Sequence, residues 1–89
     1  AYVTDIAYHA QNEASVACLA ADADLLYIEA VFLETEAEHA ARKLHLTAAQ
    51  AGRMARAARA KTAVPFHFSP RYLEREDEVR AEFERARAA

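Results

Sequence analysis

The stretch Ala63-Val64-Pro65-Phe66-His67-Phe68-Ser69-Pro70-Arg71-Tyr72 decides how this chain is read. A short apolar run ends in an imidazole, a hydroxyl and a guanidinium, so a strand gives way to a polar loop within a few residues. Two other runs, residues 2–4 and 25–28, have the same length and strand character, and helical sequence separates all three. The pattern is β-α-β-α-β-α. Helical connections of this length permit parallel pairing through right-handed crossovers, and the expected core is a small parallel sheet. Pro65 carries no N–H to give to a ladder, which predicts an edge position or a late start for the third strand.

The intervening segments punctuate themselves. Thr47-Ala48-Ala49-Gln50 has the spacing of a reciprocal capping box and predicts a helix continuing through Met54, Ala55 and Ala58. Asn12 is the expected cap of an earlier helix whose buried face includes Ala14, Val16, Leu19 and Ala20. A shorter helix is expected over residues 34–42. A last one, over residues 74–86, places Val79, Phe83 and Ala86 on one stripe, with Glu76 to Arg80 as a charged pair.

A chain of 89 residues buries only about 60–65% of its extended surface, so its core is marginal and needs tight packing or a partner. One cysteine, Cys18, excludes an internal disulfide. It is expected to be a small buried helix residue in a reducing compartment, and the expected location is cytoplasmic. No apolar stretch reaches the roughly 18 residues of a membrane span. Opening at Ala1 inside an apolar run is expected of a processed or truncated chain.

Charge is segregated along the sequence. Eight acids, from Asp5 to Glu38, precede the first basic residue, Arg42. Between His39 and Leu73 there are seven bases and no acid. Arg53, Arg56 and Arg59 recur every three residues on the third helix, either as an ordinary solvated surface or as a face for phosphates, with RNA as the implied partner. Tyr72 beside Arg71 is the aromatic best placed to stack on a base.

Asp5, Glu29 and His67 fall at or just past the carboxyl ends of the three expected strands, the edge at which open parallel sheets bind ligands. Asp5 offers oxygen and His67 nitrogen, both suited to zinc; taken alone, a strand-end aspartate is more often a turn or helix cap, and a lone histidine after an apolar run more often a hydrogen-bonded structural residue. His45 precedes the capped helix. A carboxylate such as Glu29 orienting that imidazole would make a proton-transfer pair, although spacing alone does not bring the two together. His9 and His39 read as surface residues.

Four blocks occur in order: Thr4-Asp5-Ile6-Ala7-Tyr8-His9, Leu25-Leu26-Tyr27-Ile28-Glu29-Ala30-Val31-Phe32, His45-Leu46-Thr47-Ala48-Ala49-Gln50-Ala51-Gly52 and Phe66-His67-Phe68-Ser69-Pro70-Arg71-Tyr72. Together they resemble the C-terminal half of a ribonuclease Z type hydrolase of the metallo-β-lactamase superfamily. The resemblance implies an α/β fold, the C-terminal half of an αββα sandwich, with a small, mainly parallel three-stranded sheet and flanking helices. Residues 1–89 would then form a single partial domain.

It implies that Asp5 bridges two metals, that His67 is the last histidine ligand of one of them, and that Glu29 and His45 act together as proton donor to the leaving oxygen. Ser69, Arg71 and Tyr72 would approach the scissile phosphate. The implied cofactor is a pair of zinc ions, alternatively manganese, and the implied reaction is phosphodiester hydrolysis at the 3′ end of precursor transfer RNA. Thr4-Asp5-Ile6 stands where the family has Gly-Asp-Thr, and Val31 where it has threonine.

The family's His-x-His-x-Asp-His motif does not occur in these residues. The chain alone is therefore expected to hold metal weakly or not at all and to be inactive until a missing N-terminal half, or a second chain, supplies the rest. An exposed sheet face would favour a homo-oligomer or a complex. Two further readings stay open: a non-catalytic interaction module, and a metallo-β-lactamase hydrolase of a small phosphate or ester.

Overall fold

The computed structural model describes residues 1–4, 6 and 8–89. Strands β1 (Tyr2–Val3), β2 (Leu25–Glu29) and β3 (Thr62–Phe66) lie in that spatial order and are parallel throughout. Helix α1 (Ala10–Leu19) links the first two strands. A 3₁₀ turn (Glu34–Glu36), α2 (Ala37–Arg42) and α3 (Ala48–Ala58) link the second and third. A second 3₁₀ turn (Pro70–Tyr72) leads into α4 (Glu76–Ala88). The expected α/β architecture with a three-stranded parallel sheet is what forms. No helix among the described residues is long and apolar enough to cross a membrane.

Because spatial and sequence order agree, both crossovers step in the same direction. Right-handed connections then bring α1 and α3 to the same side of the sheet, where they pack against each other. Leu26, Ile28, Ala63 and Pro65 are buried on that side. The alternate residues face the other way: Tyr2 is 71% exposed and Leu25 40%, while Tyr27, Val64 and Phe66 are half-buried. On that open face Tyr2 stacks on Tyr27 at 5.2 Å and meets Phe66 edge-on at 5.3 Å. β3 is an edge strand, as Pro65 predicts.

The helix ends show where local signals were sufficient. The capping box of α3 closes in both directions: Thr47 N–H donates to Gln50 Oε1 at 2.9 Å and Gln50 N–H to Thr47 Oγ1 at 3.1 Å. The cap of α1 is His9, not Asn12; its Nδ1 accepts the Asn12 N–H at 3.3 Å, and the helix begins three residues earlier than a cap at Asn12 would place it. Asn12 competes poorly because the turn geometry, which the sequence does not encode as a short motif, places the extended residue at position 9. Helix α1 is also barely amphipathic. Val16 and Ala20 are buried, but Leu19 is 85% exposed and Ala14 and Cys18 are exposed, against expectation for all three. The sheet is too narrow at the two-residue β1 to cover their side of the helix.

Residues 34–42 divide into the 3₁₀ turn and α2 rather than one helix. In α4 the expected Glu76–Arg80 pair gives way to Arg75–Glu78 at 2.8 Å, while Arg80 covers the Phe68 ring at 4.9 Å. Val79 and Phe83 are fully buried against the rest of the chain, as their spacing predicts.

Among the described residues, four other than glycine adopt the left-handed conformation: Asp22, Leu44, Arg59 and His67. The single glycine is used elsewhere. Gly52 lies inside α3 where α4 crosses, and a Cβ there would stand 2.4 Å from the Phe83 carbonyl oxygen and 2.8 Å from Ala86 Cβ. Gly52→Ala is therefore expected to force α4 outward and to lower stability by about 1–3 kcal/mol despite the better helix propensity of alanine. Leu44→Gly, at a solvent-exposed left-handed position that suits glycine, is expected to leave stability unchanged or raise it by up to about 1 kcal/mol. Urea unfolding of the two variants beside the parent chain checks both signs.

Candidate functional site

The site is organised around a carboxylate that has no contact with water. Glu29 ends β2 and is 0% exposed. An ionised carboxylate removed from solvent must be met by donors, and here it is. Its Oε2 accepts the Leu46 N–H at 2.8 Å and lies 3.0 Å from His45 Nδ1. Its Oε1 accepts the Thr4 hydroxyl at 3.0 Å and lies 3.9 Å from His67 Nδ1. The His45 and His67 rings meet edge to face, with centroids 5.5 Å apart. One potential ligand atom from each of Glu29, His45 and His67 lies within 4.8 Å of the others, the only such group among the described residues.

Each imidazole is delivered by a turn. Helix α2 closes with the Leu44 N–H on the Ala41 carbonyl at 3.2 Å and the His45 N–H on the Ala40 carbonyl at 2.9 Å, the hydrogen-bond pair of a Schellman end with Leu44 at the left-handed position (φ 57°). His45 therefore leaves α2 with its direction fixed. Immediately after it the chain is held to the continuation of β2: Val31 N–H reaches the Leu46 carbonyl at 3.1 Å, Phe32 and Thr47 form a parallel bridge, and the Ala48 N–H reaches the Phe32 carbonyl at 2.7 Å. His67 follows β3 directly and is itself left-handed (φ 63°), a conformation that is uncommon outside glycine and that turns the chain off the sheet edge. Ser69 N–H closes that turn on the Val31 carbonyl at 2.9 Å.

Three of the four residues expected at the sheet edge, Glu29, His45 and His67, thus converge. The fourth, Asp5, lies outside the described residues. Its neighbour Thr4 was not expected at the site, and its hydroxyl joins the Leu46 N–H as an uncharged donor to Glu29. Ser69 Oγ accepts the Arg71 N–H at 3.4 Å and caps the second 3₁₀ turn. Arg71 is half-exposed but already paired, with its guanidinium 2.6 Å from Glu36 Oε1 and over the Phe32 ring at 5.2 Å. Tyr72 does not stand out to stack on a base: it is 2% exposed, Arg75 covers its ring at 5.5 Å, its hydroxyl donates to Glu36, and it accepts the Leu33 N–H at 3.1 Å.

Two acids hold the segment that carries His45. Glu34 Oε1 accepts the Thr47 hydroxyl at 2.6 Å, and Glu82, from α4, accepts both the Glu34 N–H at 2.9 Å and the Ala49 N–H at 3.2 Å, placing its charge at the start of α3. These contacts were invisible in sequence because each joins residues 13 to 48 positions apart. The arginine stripe is largely answered as well. Arg53 lies 3.8 Å from Glu34 and over the Tyr8 ring, Arg59 pairs with Asp22 at 3.0 Å and Lys61 with Asp24 at 3.0 Å, leaving Arg56 as the member with no acid beside it among the described residues.

Hydrogen bonding from Tyr72 and Arg71 holds the Glu36 carboxyl below its ordinary range, while burial and the neighbouring Glu36 charge push the Tyr72 phenol up. A depressed carboxyl stabilises the fold above its unfolded value, and that contribution is lost as pH falls through the folded one. Acidification below the usual 4.5 of glutamate should therefore loosen the tie between the Glu34–Glu36 turn and the Pro70–Tyr72 turn. Glu36→Gln is expected to flatten this limb of a melting-temperature profile against pH. Tyr72→Phe should cost about 0.5–1.5 kcal/mol at neutral pH through its lost hydrogen bonds.

No family model matches the chain. Curated relatives do. The chain is 57% identical over 65 residues to ribonuclease Z of Thermobifida fusca, covering 72% of this chain and 20% of that protein. It is 50% identical over 70 residues to ribonuclease Z of Nocardia farcinica, covering 79% and 23%, and 44% identical over 72 residues to ribonuclease Z of Cyanothece sp., covering 81% and 21%. The likeness to ribonuclease Z, a metallo-β-lactamase superfamily hydrolase, thus extends over most of these residues. The chain spans about a fifth of the length of the curated relatives it matches.

Proposed function

We propose that residues 1–89 are the C-terminal half of a ribonuclease Z type sandwich and contribute its proton donor and part of its metal site to a phosphodiester hydrolase acting on the 3′ end of precursor transfer RNA. The observation that carries this reading is the contact of the buried Glu29 carboxylate with His45 Nδ1 at 3.0 Å, beside His67, at the carboxyl edge of the sheet. Nothing in one residue's spacing to the next requires that meeting; a proton-transfer pair does. The donor types beside it, imidazole nitrogen and carboxylate oxygen, fit zinc or manganese.

When bound, the metal pair supplies Lewis-acid polarisation of the phosphate and a water activated at neutral pH. The residues of this chain do the rest. Glu29 accepts from Nδ1 of His45 and so leaves Nε2 as the atom facing outward, its proton available to the leaving oxygen, with the carboxylate stabilising positive charge on the ring. Thr4 and the Leu46 N–H keep Glu29 from rotating away. Asp5 and His67 are the metal ligands of this half, and Ser69 and Arg71 approach the phosphate; Arg71 reaches it only by leaving Glu36.

The open sheet face favours the half-fold. Tyr2, Leu25, Tyr27, Val64 and Phe66 form an apolar surface on the side without helices, suited to pack on the sheet of an upstream half. The same surface supports the second reading, an interaction module without catalysis. Supplying the upstream part of a relative in trans separates the two. Association together with cleavage of a transfer RNA precursor bearing a 3′ trailer is expected, and His45→Ala should lower kcat about 10²–10⁴-fold without weakening association. Association with no cleavage of any phosphodiester leaves the interaction module; cleavage of a small phosphodiester but not the precursor leaves a hydrolase with another substrate.

A further inference from the structure

The arginines of α3 take no part in the chemistry above, and three of them line one groove. It lies between α1 and α3, has a volume of about 600 Å³, and is bounded by Tyr8, Glu13, Arg53, Arg56, Ala57 and Arg59. Arg53, Arg56 and Arg59 are exposed, and so is Ala57, whose small side chain leaves the floor open between them. Three guanidiniums thus face one carboxylate, a local surplus of two positive charges in a chain whose formal net charge is −3. That carboxylate is itself engaged, since Glu13 accepts the Tyr8 hydroxyl. The groove lies on the helical side of the sheet, so an upstream half packed on the open apolar face would leave it in solvent. Its direction follows from the fold. Helices α1 and α3 both start at the carboxyl edge, which places Tyr8 and Arg53 at the end nearer the site and Arg59, the C-cap of α3, at the far end. At a rise of about 1.5 Å per residue the three arginines cover about 9 Å along the helix.

We propose that this groove holds the sugar-phosphate backbone of a single RNA strand, with Arg56 as its principal contact. Arg56 has no acid beside it among the described residues. Arg59 is paired with Asp22 at 3.0 Å and Arg53 lies 3.8 Å from Glu34, but all four side chains are well exposed. Exposed pairs of this kind are weak, so an incoming phosphate replaces either acid readily. Tyr8, the one aromatic in the lining, carries Arg53 over its ring at 5.3 Å and is tied to Glu13 through its hydroxyl. The groove therefore offers charge rather than a stacking platform, and binding through it is sensitive to salt and indifferent to base sequence. A cleft between two helices packed with axes about 8–10 Å apart admits one strand and not a duplex. RNA is preferred to other polyanions because the groove opens toward the carboxyl edge of the sheet, and on that point the inference rests on the proposed function.

Fluorescence anisotropy of a short labelled oligo(U) titrated with the 89-residue chain tests the groove. Three phosphate contacts at about 0.7 each give a log–log salt slope of about −2, a loss of roughly 15–20-fold between about 50 and 200 mM salt. Arg56→Glu should weaken binding by about fivefold or more and bring the slope to about −1.4 or shallower. Arg56→Gln keeps good helix propensity and should lower the slope in the same direction, so the reading survives if the charge reversal fails to fold. Arg85→Glu, an equal change of charge on the exposed side of α4, should leave affinity unchanged within about twofold. Oligo(A) should bind as oligo(U) does, and circular dichroism should show equal helix content in every variant compared. Absence of RNA binding at low salt, equal weakening by Arg85→Glu and Arg56→Glu, or a clear preference between the two oligonucleotides overturns the proposal. So does displacement of the RNA by oligoglutamate at equal charge concentration, which would assign the groove to an acidic protein segment. Failure of the proposed function is read separately, as absent cleavage by the reassembled protein; RNA affinity unchanged in Arg56→Glu overturns the groove alone.

Discussion

The buried carboxylate of Glu29 is the constraint to which the rest of this structure answers. Placing a charge at the end of a strand with no solvent contact is unfavourable by several kcal/mol unless donors surround it. Three parts of the chain bring such groups to it: Thr4 after β1, His45 and the Leu46 N–H before α3, and His67 after β3. The three strands and the connection between the second and third are thereby tied at one edge. Removing the carboxylate would leave a backbone N–H and a hydroxyl facing an unfilled space, so fold and site share a single point of failure.

The charge distribution serves the same closure. Acids occupy the first part of the chain and bases the middle, and the ion pairs between elements join the one to the other: Arg53 to Glu34, Arg59 to Asp22, Lys61 to Asp24 and Arg71 to Glu36. Most are exposed, and each contributes little stability on its own. Their common effect is orientation. Arg53–Glu34 and Arg71–Glu36 register the turn after β2 against α3 and the loop after β3, and Arg59–Asp22 and Lys61–Asp24 hold the turn before β2 to the turn before β3. Segregated charge in the sequence therefore reads chiefly as internal complementarity, with Arg56 the member of the helical stripe that has no acid beside it among the described residues.

How much of this was legible beforehand depended on the range of the interaction. The Thr47-Gln50 box closes within four residues, so the start of α3 was readable to the residue. The three strands were readable from short apolar runs, and Pro65 correctly marked an edge. Leu19 and Cys18 misled because helical periodicity identifies a face but not what covers it, and a two-residue β1 covers little. At the site, strand ends and family-like motifs pointed to Glu29, His45 and His67. They gave no hint of Thr4, or of the Glu34–Glu82 brace, which depends on how α4 crosses α3 at Gly52. Tyr72 shows the opposite error: its neighbour Arg71 made it look like a stacking platform, whereas its hydroxyl is tied into the interior by Glu36 and Leu33.

The placement of glycine sharpens this division. A chain with one glycine has to choose between easing a left-handed turn and permitting close helix contact, and here the contact at Gly52 takes it. Four turns then place side chains in left-handed backbone at some cost in free energy. At Arg59 and Asp22 that cost is partly offset by the ion pair the two make with each other. At Leu44 a Schellman end absorbs it. At His67 the ring meets Glu29, His45 and Phe66 among the described residues, and the strain is held at the sheet edge beside the buried carboxylate. Left-handed backbone, a fully buried carboxylate and a second imidazole at one sheet edge make the site costly to maintain for packing alone. That cost is the strongest physical argument that these residues retain chemistry of their own.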